Sequence, residues 1–158
     1  MTSSQTNIPE LFLHDYTSGG LLAGLTPLTL EDVQAVATLY QGISSEYLDF
    51  ISMIGIGETK NGLFIHTPYL ATELISNPSA IIYNSQASRR LFGLPPANHA
   101  ILQNLVCVAD TGASWRYCLN TGSGNEVVCL DLAGFIVSQE SDNFFSFIQE
   151  QVFDFEAE

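Results

Sequence analysis

The chain has 158 residues, 17 Asp+Glu against 4 Lys+Arg, and a formal net charge of −13. That length suits one domain, with a core large enough to need no disulfide or metal staple. Hydrophobic residues make up 46%, which excludes a disordered acidic tail, and charged residues only 13%, so Ser, Thr, Asn, Gln and Gly must finish the surface.

The excess charge is evenly spread. Residues 1–79 hold 8 acids and 1 base, and residues 80–158 hold 9 acids and 3 bases. Such a surface repels phosphate backbones and anionic lipid, so neither nucleic acid nor membrane is expected as a partner, and a basic protein is the natural complement. The first basic side chain is Lys60, which leaves no positive leader region before it. No apolar run approaches the ~18 residues of a membrane span. Three cysteines without paired spacing argue against a secreted disulfide framework, and a cytoplasmic location is expected.

Residues 1–28, rich in Ser, Thr, Gly and Pro, read as an irregular arm with one apolar patch at Ile8, Leu11, Phe12 and Leu13. A single domain is expected over 29–153, followed by an acidic tail at 154–158. Thr29 is placed to cap a helix whose first turn holds Glu31 and Asp32, and Leu30, Val33, Val36, Ala37 and Tyr40 keep helical spacing up to Gly42. A second helix is expected from Ser44 or Ser45, with Tyr47, Leu48, Ile51 and Ile54 on one face and Gly55 and Gly57 ending it. Lys60-Asn61-Gly62 before Leu63-Phe64-Ile65 predicts a hairpin. A short helix is expected at 72–75.

Three runs of β-type residues follow at 105–109, 115–119 and 126–130, separated by Asp110-Thr111-Gly112 and by the turn-rich 120–125. Cys107, Cys118 and Cys129 recur every eleven residues, one per run, as in an antiparallel meander. Phe135-Ile136-Val137 predicts a fourth strand. Ser141 is the expected cap of a final helix with the stripe Phe144, Phe147, Ile148 and Val152. The fold class is α+β: an N-terminal helix pair, an antiparallel meander and a closing amphipathic helix.

This order resembles the SUKH superfamily, which includes fungal cell-wall-synthesis regulators and bacterial proteins that neutralise polymorphic toxins. The family's Leu-Pro-x-x-Tyr-x-x-Phe-Leu segment and glycine-rich turn are matched by Ile43-Ser44-Ser45-Glu46-Tyr47-Leu48-Asp49-Phe50-Ile51 and Gly55-Ile56-Gly57. Its later strand, Asp-Gly turn, aromatic strand and Phe-rich helix are matched by 106–110, Gly112, Tyr117, 127–131 and 144–152. The likeness covers residues 28–152. Ser stands where the family has proline, and the glycine turn lacks the family's asparagine and aromatic. Members are mainly binding proteins, so the resemblance implies no catalytic residues.

Other chemistry has weaker support. Asp110-Thr111-Gly112-Ala113 after an apolar run is the turn of an aspartic protease, but one copy would need a homodimer to pair two carboxylates around a shared proton, and Asp-Thr-Gly is also an ordinary turn. Cysteines eleven apart do not supply zinc spacing and read as buried thiols. His14, His66 and His99 are isolated. The glycines of 55–62 lack the order of a phosphate loop. Arg89-Arg90 is too small a basic cluster for nucleic acid. Phe153 and Phe155 fit a docking segment or an ordered tail. No metal or cofactor is expected.

The leading expectation is a non-catalytic binding protein: an immunity protein whose acidic face steers onto a basic toxin such as a nuclease. Glu46, Asp49, Glu58, Asp110, Trp115, Glu126 and Asp131 are the candidate contacts, chosen because turns and helix starts expose them. The alternatives are a regulatory scaffold that docks a host protein and, behind it, the homodimeric protease through Asp110.

Overall fold

The computed structural model describes residues 8–71, 102–131 and 136–154. Within them the order is α1 (Glu10–Thr17), α2 (Leu30–Leu39), α3 (Ser45–Met53), β1 (Gly57–Glu58), β2 (Phe64–Leu70), β3 (Leu105–Asp110), β4 (Trp115–Asn120), β5 (Glu126–Asp131), β6 (Ile136–Ser141) and α4 (Phe144–Ile148), which runs into a π-helical turn at Gln149–Phe153. The six strands form one sheet in chain order, each antiparallel to the next. The α+β architecture matches the expectation. The helix expected at 72–75, Arg89-Arg90, His99, Phe135 and Phe155 lie outside the described residues.

Local chemistry accounts for most boundaries. Thr29 Oγ1 accepts from the Asp32 N–H at 3.1 Å, so the predicted cap is in place, and Ser44 Oγ accepts from Tyr47 N–H at 3.1 Å, capping the helix expected to start at Ser44 or Ser45. The hairpin forms around Lys60-Asn61-Gly62, with Gly62 at φ +95°. Thr59 Oγ1 ties the turn by accepting from Leu63 N–H and donating to Asn61.

Two expectations need correction. The stretch 1–28 is not an irregular arm where it is described. Pro9 opens α1, and Phe12 is fully buried. The Asp15 carboxylate then accepts from the N–H groups of Leu21 and Leu22 at 3.1 and 2.7 Å, turning the chain back. Thr26 pairs with Ile56 by two backbone hydrogen bonds, which fastens the segment beside β1. The cap of α4 is Asn143, whose Oδ1 accepts from Ser146 N–H at 2.8 Å, rather than Ser141. Ser141 ends β6, and its hydroxyl donates to Glu150. A second acceptor for α4 arrives from α3, where Glu46 Oε1 takes the Phe145 N–H at 2.9 Å.

The helices cover one face of the sheet. Tyr47, Phe50 and Ile51 of α3, Phe144 and Phe147 of α4 and Phe12 of α1 share a core with Val106, Val108, Tyr117, Leu119 and Val127. Edge-to-face aromatic pairs join α3 to α4 within the helical layer, with Phe50–Phe144 at 5.4 Å and Tyr47–Phe144 at 5.3 Å. Leu105, Cys107, Cys118, Val128 and Leu130 form a second buried cluster on the other face. Burial on both faces explains why β3 reads as a nearly continuous apolar run instead of alternating.

Candidate functional site

Among the described residues, a cleft of about 700 Å³ is lined by Ile56, Gly57, Glu58, Phe64, Ile65, His66, Thr67, Asp110 and Gly112. Strand register builds it. Glu58 lies opposite Phe64, and Phe64 lies opposite Asp110. Directly opposed residues point to the same side of a sheet, so an aromatic ring stands between two carboxylates in one cross-strand row. Phe64 is 38% exposed, while its neighbour Ile65 is in the core.

A bulge in β2 aims the next residues. Pairing with β3 breaks between Ile65 and Tyr69, where Pro68 has no N–H to offer. Two tyrosines of the helical layer bond to this irregular stretch. Tyr47 OH donates to the His66 carbonyl at 2.6 Å, and Tyr40 OH donates to the Pro68 carbonyl at 3.1 Å. Burial pushes the Tyr47 phenol well above its ordinary pKa, so it stays a donor.

His66 is held on three sides. Its ring stacks on Tyr69 at 5.4 Å. Nδ1 lies 2.8 Å from the Thr67 carbonyl, and since a carbonyl only accepts, Nδ1 carries the proton. Nε2 faces Asp110 Oδ2 at 3.5 Å. Behind it, Arg116 is only 6% exposed. It donates to Tyr69 OH at 3.0 Å and to the carbonyls of Ala113 and Trp115.

Asp110 is kept as an anion. Burial alone would push its carboxyl up, but the neighbouring His66, the Gly112 N–H at 2.8 Å and the Arg116 charge outweigh it and hold the pKa below the usual 3.8. A depressed carboxyl pKa stabilises the fold above the unfolded value and loses that contribution as pH falls through the folded one. Asp110→Asn is therefore expected to lower stability at pH 7 by about 0.5–1 kcal/mol, the half-exposed site being partly screened. The deficit should shrink toward pH 3. Urea midpoints of both proteins at the two pH values check this, and a deficit that grows in acid would reverse the sign.

Gly112 at φ +88°, donating to Asp110 Oδ1, makes Asp110-Thr111-Gly112 a side-chain-closed turn between β3 and β4. The two buried thiols at Cys107 and Cys118 face each other across β3 and β4, with Sγ–Sγ 3.4 Å. That contact and burial hold the Cys118 thiol well above its usual pKa, which makes it a poor nucleophile. Among the described residues no three His, Cys, Asp or Glu side chains gather as metal ligands would. No described helix is long and apolar enough to cross a membrane.

The structure divides six of the seven candidate contacts between two ends of the sheet. Glu58, Asp110, Trp115 and Asp131 share one end, where Trp115 lies opposite Asp131. Trp115 is half-buried beside Asn61, Leu63, Tyr117 and Gln151, and its indole N–H is buried without an acceptor. Glu126 starts β5 at the far end, opposite Asn120. Glu46 lines a small hollow at that far end with Gly124 and Asn125, and is engaged as the second cap of α4. Asp49 is half-buried on α3, one turn beyond Glu46. Phe64 and His66, which complete the cleft, escaped sequence reasoning. The Asn-Gly turn was the available signal for Phe64, because a hairpin closed there sets residue 64 opposite 58. A comparison with models of known protein families and with curated protein sequences finds no match to this chain.

Proposed function

We propose that the chain is a non-catalytic protein-binding module of the SUKH kind, which neutralises a basic toxin domain by covering it with an acidic surface. One observation carries this reading. Fourteen acids and two Lys/Arg are described, none of the fourteen is buried, and Arg116 lies inside. Lys60 is thus the one exposed Lys or Arg side chain among the described residues, and its Nζ is held by the Gly19 carbonyl at 2.7 Å. A surface so one-signed steers a basic partner and repels nucleic acid. The resemblance over residues 28–152 supports the same class.

The expected result is a genetic neighbour encoding a toxin whose product binds this chain tightly, with association slowing by about tenfold or more between low and physiological salt. Stopped-flow association at several ionic strengths measures it. Tight binding with a flat salt response would remove the electrostatic mechanism, and failure of any adjacent toxin product to bind would defeat the immunity reading in favour of a host-docking scaffold.

A further inference from the structure

The cleft has a more specific chemistry than its surroundings. The carboxylates of Glu58 and Asp110 flank the Phe64 ring in one row, at the ~5 Å spacing of directly opposed strand neighbours. Two anions either side of an aromatic face are complementary to a planar, delocalised cation, which can lie over the ring and direct N–H groups to both sides. The walls beyond the row are apolar, formed by Ile56 and Ile65, and the volume of about 700 Å³ far exceeds a bare head group. A methylene stem would fill it. Neither nearby Lys or Arg occupies the row: Lys60 bonds to Gly19, and Arg116, whose charge reaches Asp110, sits behind Tyr69. His66 is fixed by its stack on Tyr69 and its bond to Thr67, so the wall is formed in advance.

We propose that this cleft receives a guanidinium or alkylammonium head carried on a short apolar stem, with Glu58 and Asp110 as its counter-ions and Phe64 as its platform. The inference deepens the reading above, since an arginine of a basic partner is one source of such a head and a free organic amine is the other. Its test uses small cations, so it stands or falls apart from any protein partner.

Titration calorimetry of the full chain with n-butylguanidinium should show binding near 1 mM, and the neutral isostere n-butylurea none at roughly tenfold higher concentration. Glu58→Gln and Phe64→Leu, both at exposed positions, should each weaken the guanidinium about three- to tenfold, with circular dichroism unchanged. Comparable affinity for N-acetyl-arginine methylamide identifies a protein side chain as the source, and marked preference for agmatine identifies a free amine; both uphold the site. Equal binding of the urea, indifference to both substitutions, or no binding of any cation overturns it. Loss of toxin capture with guanidinium binding intact would instead fault the wider reading alone.

Discussion

Gly55→Ala is expected to cost about 4 kcal/mol, a large part of the ~5–15 kcal/mol that holds a domain of this size together. Gly55 has φ +121°, a conformation that side chains rarely adopt. An added Cβ would also lie 2.1 Å from the Thr26 carbonyl carbon and 2.5 Å from Pro27 N. These are backbone atoms pinned by the Thr26–Ile56 pairing, so they cannot swing aside as a side-chain tip would. Strain and overlap each contribute about 1–3 kcal/mol. Gly42→Ala separates the two, because Gly42 has φ +85° with open space around it and should cost only about 1 kcal/mol. Urea unfolding followed by Trp115 fluorescence compares them, and equal losses would mean that the chain relaxes around Gly55.

Phe12→Ala is the second large effect, at about 3–5 kcal/mol. Phe12 is fully buried and meets three rings: Phe50 at 6.2 Å, Phe145 at 5.9 Å and Phe153, nearly parallel, at 5.4 Å. Removing it leaves a cavity between α1, α3 and the C-terminal turn that rigid neighbours cannot refill. Leu11→Ala, next door but 44% exposed, should change stability by less than about 0.5 kcal/mol. The contrast in urea midpoints tests whether α1 belongs to the core. A small loss for Phe12→Ala would return that segment to the status of an arm.

Helices α2 and α3 were legible because their apolar spacing, caps and terminating glycines all agree. The meander from β3 to β5 was legible because each strand is bounded by strong turn residues, and each runs one residue further than expected. The α1 helix was hidden: Leu11, Phe12 and Leu13 are consecutive, so the pattern shows no face, and one residue, Phe12, does the burying. Ser141-Asp142-Asn143 offers three capping residues in a row, and only the length of β6 decides which one is used. Among the site residues, the turn positions of Glu58 and Asp110 predict exposure but not a shared cleft. Their meeting depends on β2 pairing with a strand some forty residues later, past a bulge, and sequence pattern carries no such register. His66 looks isolated in the sequence because its charged neighbour, Asp110, arrives from another strand.

The ends of the described chain meet in the core, and this has a kinetic consequence. Phe12 stacks on Phe153, Glu46 reaches Phe145 across 99 residues, and the Asn61 amide reaches the Val152 carbonyl across 91. Such closures add only slowly growing entropy per residue of loop, but their cost falls before the contacts that repay it. A nascent chain would expose the apolar faces of its three N-terminal helices, and then of the sheet, until residues 144–153 had been made. The molecule should therefore fold late and all at once, on the millisecond-to-second scale of long-range topologies, with its greatest exposure to aggregation just before the closing helix arrives.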